Sequence, residues 1–553
     1  MSALPKPISA LLSEVRPRAE SRLLSPPAVF CAAAICLVVI FFGVIRYRLR
    51  DMPLERDEGE YAYAGQLLLQ HIPPYKLAYN MKLPGIYAAY ATILAVFGET
   101  PGGIHSGLLL VNALTIVLMF FLAAHLFGRL AGLIAATSYA LLSTSSSVMG
   151  FEAHATHFVV LAAVAGILLL LRAMEHRGTW LLLVSGALAD VAVLMKQHGA
   201  FFALFCGLYL VAKEWKAKAH FRRIFYEGAI FSCGVILPYL FTCLFLYRAG
   251  VFSAFWFWTV SYAGEYSKVG WDGVVSEFLD SMNSVTDPVI PLWILAGFGL
   301  TALAWGRAAR RSAGFLAGLF LFSFLSICPG GYFREHYFIL LLPVLSLLIA
   351  VGVVSVMERV APMNKWILTF APIVIFLGCF ANGISRQSDF YFHLSPQEAV
   401  QSTYSAAPFI AAQKVAEFVK ASSPAAARIA VFGSEPEIYF YSQRHSATGY
   451  LYLYPLTEDQ KYISRMQEQF IHEVETNRPE YVVDVDYPDS WGDIEPAPHQ
   501  SAFLAWTEDY MRSNYERVAI ADGANDIKYI WGDAAKTYQP HTDRVIYVLK
   551  RNH

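Results

Sequence analysis

The sequence predicts a multi-pass α-helical membrane protein of about eleven spans, followed by a soluble α/β domain. Three observations lead there. Charged residues make up 15% and hydrophobic residues 56% of the 553 residues, whereas a water-facing protein carries about 25% charged residues. Uninterrupted apolar runs such as 28–45 and 336–357 reach the roughly 20 residues needed to cross a bilayer. The charge pattern then changes at residue 384. Residues 1–383 hold 27 Lys+Arg against 20 Asp+Glu, and residues 384–553 hold 15 against 23, within a net charge of −1. The second stretch has the charge density of an ordinary soluble domain. A soluble enzyme, a disordered scaffold and a coiled coil are excluded. With no basic stripe or recognition motif, nucleic acid is not a partner.

The first apolar run, 27–46, is too long for a signal peptide and lacks a small-residue cleavage site; Arg46, Arg48 and Arg50 follow it, so it reads as a retained span. Further spans are expected at 104–127, 130–148, 156–172, 180–195, 199–212, 226–247, 288–305, 313–328, 336–357 and 366–383. Eleven spans put the termini on opposite sides. A cytoplasmic N-terminal segment, 1–26, places 17 basic residues in short inner segments, including the cluster from Lys213 to Arg223, as the positive-inside rule requires. The domain at 384–553 is then extracytoplasmic, and the protein sits in the plasma (inner) membrane. All seven cysteines lie in apolar runs, which offers neither a disulfide framework nor a metal-type spacing.

The outer loop at 46–103 is long and patterned. Residues 57–71 read as an amphipathic helix with acids in its first turn, where the helix dipole favours them. Pro73-Pro74 ends it, and Pro84 suits the first turn of the next, a 14-residue apolar helix too short to span. Two such helices form a shelf along the outer membrane surface. In the tail, 396–421, 458–475 and 501–513 read as helices, and 428–432, 481–484, 517–521 and 545–549 as strands. That alternation predicts a partly parallel sheet.

The groups able to do chemistry gather at the outer ends of the spans. Asp57 and Glu58 are paired carboxylates, fit for a general base or a cation site, or simply an acidic first turn. Lys82 enters an apolar helix, where it either snorkels to headgroups or meets a lipid-borne phosphate. Glu152, His154 and His157 lie beside apolar runs, where ionisable groups are costly unless paired. A divalent metal is a candidate cofactor for Asp57, Glu152 and His154, and the sequence does not decide whether one is held. Lys196 ends the fifth span, and Arg334 precedes the tenth, with the planar geometry that clamps phosphate or pairs with Glu335. Gly433-Ser434-Glu435-Pro436 has too few glycines for a phosphate loop and is assigned no site. Shared placement on one face points to an anionic lipid-borne substrate and a polar acceptor. A transporter would instead place its ionisable groups near the bilayer midplane.

Asp57-Glu58-Gly59-Glu60-Tyr61-Ala62 after the first span, then Lys82-Leu83-Pro84-Gly85-Ile86-Tyr87, resemble the membrane glycosyltransferases of the GT-C fold. The likeness is to bacterial family 39-type proteins, relatives of protein O-mannosyltransferases and of the lipid A aminoarabinose transferase. Leu194-Met195-Lys196-Gln197-His198-Gly199 and the stretch from Arg334 to Pro343 extend it, so that it covers about residues 30–385. The resemblance implies inverting transfer of a sugar from a polyprenyl-phosphate donor to a hydroxyl on a lipid, glycan or protein acceptor outside the cytoplasm. It implies Asp57 as general base with Glu58 as the weaker candidate, and Lys82, Lys196 and Arg334 as phosphate ligands. Glu152 falls where relatives place a second acid, and some relatives hold a metal near these acids. A flippase for a lipid-linked glycan and a non-catalytic membrane assembly protein are the rival readings.

Overall fold

The structure is a computed structural model that describes residues 26–268, 273–363, 365–405, 407–488, 490–492 and 498–552. The segment read as cytoplasmic lies, apart from Pro26, outside the described residues. The chain divides into two compact units. One comprises Met1–Leu49, His105–Phe241 and Gly270–Leu394, and the other Arg50–Ile104, Thr242–Val269 and Ser395–His553.

The first unit is helical. Among the described residues, seven helices are long and apolar enough to cross a membrane: Ala28–Arg48, Pro101–Phe127, Ala155–His176, Phe221–Arg248, Val274–Trp305, Leu342–Met363 and Trp366–Arg386. Each overlaps an expected span, and Val274–Trp305 begins well before the one expected at 288–305. The other four expected spans form the shorter helices Arg129–Ser143, Thr179–Met195, Ala200–Lys216 and Ala313–Ile327, of 15 to 17 residues. At 1.5 Å per residue these reach about 22–26 Å, short of the roughly 30 Å hydrocarbon core. The span expected from His336 starts later, because Glu335–Leu340 is 3-10 helix and the α-helix begins at Leu342. Pro343 explains the switch, since it lacks the N–H and fits only the first helical turn.

Backbone contact sets the packing of at least one helix pair. A Cβ on Gly186 would meet the Phe231 carbonyl, and one on Gly234 would meet the Leu183 carbonyl, so glycine at both positions lets the two helices touch. Arg46 and Arg48 bond to the backbone around the C-terminal end of the Ala28–Arg48 helix. Arg46 donates to the carbonyls of Gly150 (2.6 Å) and Ser143 (2.7 Å), and Arg48 to those of Tyr391 (2.8 Å), Phe390 (2.7 Å) and Leu394 (2.5 Å). They satisfy helix-end and loop carbonyls that would otherwise lack donors.

In the second unit the outer loop and the tail are one body. The tail is a six-stranded sheet of order β2-β1-β3-β6-β4-β5, with β1 Arg428–Phe432, β2 His445–Ser446, β3 Tyr481–Asp486, β4 Tyr515–Asp522, β5 Lys528–Trp531 and β6 Val545–Arg551. β1 runs parallel to β2 and β3, and β6 antiparallel to β3 and β4, the mixed sheet the sequence predicts. The helix expected at 396–421 is broken into Pro396–Tyr404 and Phe409–Ser422, as Pro408 would dictate. The loop helices Arg56–Leu69 and Pro84–Phe97 form as expected. The first lies against the short helix Glu437–Ser442, with Gly59 at the contact: a Cβ there would come within 2.5–2.6 Å of the Glu437 backbone.

Candidate active site

The acids at the start of the Arg56–Leu69 helix take distinct positions. Glu55 is the N-cap, and its carboxylate accepts from the backbone N–H of Asp57 (2.9 Å) and Glu58 (2.8 Å), filling two donors that a helix start leaves open. Burial, and then Asp57 and Glu58, push the Glu55 carboxyl well above the usual range. Glu58 is fully buried and adds its charge to the surroundings of Glu55, Tyr90 and Tyr441.

Asp57 and Glu60 are three residues apart and share a helix face, so both reach Lys82 at the entrance of the next helix. Lys82 Nζ lies 2.8 Å from Asp57 Oδ1 and 3.9 Å from Glu60 Oε2, and donates to the Tyr61 hydroxyl at 3.0 Å. Tyr75 donates to the Lys82 carbonyl at 2.7 Å and fixes its backbone. Burial works against the ammonium, but Asp57, Tyr61 and Glu60 more than offset it and hold Lys82 well above its ordinary value. Asp57 keeps some solvent access, with 23% of its side chain exposed, which a group meeting a substrate requires. Glu60 is fully buried and accepts from Tyr87 Oη (2.5 Å), Asn80 Nδ2 (2.8 Å) and Tyr452 Oη (3.1 Å). Burial lifts its carboxyl to about 7, against the pull of Lys82.

The tail supplies further contacts to this helix. Glu435 Oε1 receives Arg56 Nη2 at 3.0 Å, while Oε2 receives Ser434 N at 2.7 Å and Ser490 Oγ at 2.6 Å. Burial favours release of the Arg56 proton, but Glu435 and Tyr454 outweigh it and raise the guanidinium. No sequence signal marked Tyr452 as part of a site. Glu435 sits in the one tail motif singled out, and its role is a salt bridge to Arg56.

In the first unit, Lys196 and His154 belong to a ring-lined cluster. His154 stacks on His336 at 4.0 Å, His336 meets Tyr337 edge-on at 4.8 Å, and Lys196 Nζ lies 3.9 Å over the Tyr337 ring. His198 Nδ1 is 2.6 Å from the Ser326 carbonyl and its ring packs on Tyr337. Glu152 and His157 are buried on the same stretch, and Glu152 acts electrostatically on Arg46. Arg334 is exposed beside the Tyr332 ring, at 5.7 Å. It follows Phe333 at φ 41°, an uncommon conformation for a bulky residue. An almost wholly apolar cavity of about 200 Å³ lies in this unit, lined by Phe278, Trp293, Phe324, Phe338 and Leu345 among others. Of the three metal-ligand candidates, Glu152 and His154 belong to this unit and Asp57 to the other.

Residues 82–259 match the model of the dolichyl-phosphate-mannose-protein mannosyltransferase family, a stretch that contains Lys82, Glu152, His154 and Lys196. No curated protein sequence matches the chain. Among solved structures, ArnT from Cupriavidus metallidurans bound to undecaprenyl phosphate is similar over 95% of this chain and 98% of its own, at 15% identity and a TM-score of 0.59. The chain has the GT-C fold. GT-C likeness extends to the archaeal oligosaccharyltransferase AglB from Archaeoglobus fulgidus, in complex with an inhibitory peptide and a dolichol-phosphate, at 12% identity, 90% and 74% coverage and a TM-score of 0.53. The Archaeoglobus fulgidus oligosaccharyltransferase in complex with Zn and sulfate matches at 12% identity, 90% and 73% coverage and a TM-score of 0.53. The expectation of a family 39-type GT-C membrane glycosyltransferase is thus supported by family over residues 82–259 and by fold over nearly the whole chain.

Proposed function

We propose that this chain is an inverting glycosyltransferase that moves a sugar from a polyprenyl-phosphate donor to an acceptor hydroxyl on the outer face of the plasma membrane. The observation that carries the reading is the half-buried pair of Asp57 and Lys82, 2.8 Å apart, on a GT-C fold. The acceptor oxygen attacks the anomeric carbon, the bond from that carbon to the phosphate oxygen breaks, and its electrons leave on the prenyl phosphate. Asp57 takes the acceptor proton as general base. The phosphate gains one negative charge in this step, and Lys82 is placed to stabilise it before it forms, the arrangement that contributes most to such catalysis. Lys196 and Arg334 serve as further phosphate ligands, and Glu58 and Glu152 as accessory acids, on the strength of the motif resemblance. The apolar cavity of the first unit suits a prenyl chain.

In this step Lys82 is the cation beside Asp57. The N-terminal segment is cytoplasmic in this reading and residues 384–553 are extracytoplasmic. The acceptor is a lipid, a glycan or a protein. The test is incubation of the purified full chain with a panel of polyprenyl-phosphate sugars, followed by quantification of released prenyl phosphate. Release from at least one donor that depends on an added acceptor is expected. No release from any donor, with the protein folded, would contradict the enzyme reading.

A further inference from the structure

The second unit holds a buried carboxylate that the proposed reaction leaves without a task. Glu60 is fully buried, and its hydrogen-bond donors come from three stretches of chain: Asn80, Tyr87 and Tyr452. Tyr452 belongs to the C-terminal α/β domain. Its hydroxyl also lies 3.1 Å from the Arg56 carbonyl, so it grips the first turn of the helix that carries Asp57. Around that grip, Tyr441 accepts from Leu54 N (2.8 Å), Tyr63 accepts from Ser446 N (2.8 Å), and Tyr79 N donates to the Gly449 carbonyl (2.6 Å). Residues 441–452 of the domain thus hold the acid-bearing helix and the segments on either side of it.

We propose that Tyr452 is a positioning residue for donor binding: through Glu60 it sets how far Lys82 is committed to its own carboxylates, and so how strongly Lys82 holds an anionic prenyl phosphodiester. The inference rests on the reading of Lys82 as a phosphate ligand and gives the C-terminal domain a part in donor recognition. The charge count supplies the reason. With Glu60 ionised, Lys82 lies between two carboxylates and the trio carries a net negative charge that repels the donor. With Glu60 protonated, the trio is neutral and the donor meets less repulsion.

The groups facing Glu60 are Asp57 on its own helix, Lys82 and Asn80 in the following segment, Tyr87 on the next helix and Tyr452 from the domain. Burial holds the Glu60 proton to about 7, Lys82 opposes it, Asp57 adds to it, and the hydroxyls of Tyr87 and Tyr452 favour the charged form. Donor affinity therefore weakens as pH rises through this range. Loss of the Tyr452 hydroxyl removes a donor to the carboxylate, so Glu60 keeps its proton to a higher pH and the weakening moves upward.

The experiment is calorimetric titration of the full-length, detergent-solubilised protein with farnesyl methyl phosphate, a diester whose single charge does not titrate, from pH 5.5 to 8.5. In the wild type the dissociation constant is expected to rise on the order of tenfold across the titration of Glu60. In Tyr452→Phe the same rise is expected about half to one pH unit higher, and in Glu60→Gln it disappears. Should either variant be too unstable to purify, Asn80→Ala removes another donor to the same carboxylate and must move the curve in the same direction. A purely structural Tyr452 would lower the melting temperature and leave the curve in place. An unmoved curve in Tyr452→Phe, or a persistent rise in Glu60→Gln, overturns the proposal. Failure of the underlying reading shows separately, as a Lys82→Met variant that binds the probe as tightly as the wild type.

Discussion

Glu435→Ala removes the partner of Arg56 and should destabilise the second unit far beyond an ordinary surface change. The Glu435 side chain is completely buried and that of Arg56 is 21% exposed. The variant strands a largely buried guanidinium and takes an acceptor from Ser434 N and Ser490 Oγ. Breaking a buried pair from one side costs about 3–5 kcal/mol. The partial exposure of Arg56 puts this case near the lower end, about 3 kcal/mol. For a unit of this size, 1 kcal/mol moves the melting temperature by about 2–4 °C, so a fall of roughly 6–12 °C is expected. Replacing both members, Arg56→Met with Glu435→Leu, removes the stranded charge and should recover most of the loss, because apolar substitutes of similar volume are often neutral. The assay is thermal unfolding of the purified full chain, followed by tryptophan fluorescence at one heating rate, for the wild type, Glu435→Ala, the singles Arg56→Met and Glu435→Leu, and the double that combines those two. A fall under 2 °C in Glu435→Ala, or a double variant that loses the sum of the singles, would refute the argument from a buried pair.

Three further outcomes are expected. Gly59→Ala, which a solvated helix interior would welcome by about 1 kcal/mol, should instead destabilise by about 1–3 kcal/mol because its Cβ meets the Glu437 backbone; Gly228→Ala, with nothing within 4 Å of its added Cβ, is the control and should be neutral or better in the same melt. Lys82→Met should lower kcat/KM for any active donor by about 100-fold or more, the effect of losing one preorganised charge stabiliser, read from initial rates of prenyl phosphate release. A reporter fused after His553 should be active only outside the cytoplasm, and cytoplasmic activity would reverse the topology.

The membrane helices were legible because the bilayer imposes length and apolarity, and seven of the expected spans recur as long helices. Hydropathy did not resolve where an apolar run stops being α-helix: 336–341 are as apolar as the helix beyond them, yet Pro343 admits the helix only from its first turn. In the tail, β1 and β6 showed themselves by β-branched runs. β2, two residues long, and β5, four residues long at the sheet edge, carry too little pattern to be seen. Asp57 and Lys82 were legible because both flank helix starts within 25 residues of each other. Glu60 stood in the same motif, and its separation of three from Asp57 was the available clue. Glu435 and Tyr452 meet that helix across 379 and 392 residues of chain. No periodicity encodes such a contact; only folding brings a buried tyrosine and a buried carboxylate to a loop so distant in sequence.

The most direct test of the central claim is the rate of sugar transfer by Asp57→Asn beside the wild type, at saturating donor. The substitution keeps the shape of the side chain and removes the base. The account predicts a fall in kcat of at least about 100-fold, within the range lost with a general base, and a donor KM that is unchanged or lower, since Lys82 is then released from its nearest carboxylate. A kcat within threefold of the wild type would contradict it and remove Asp57 from the chemistry.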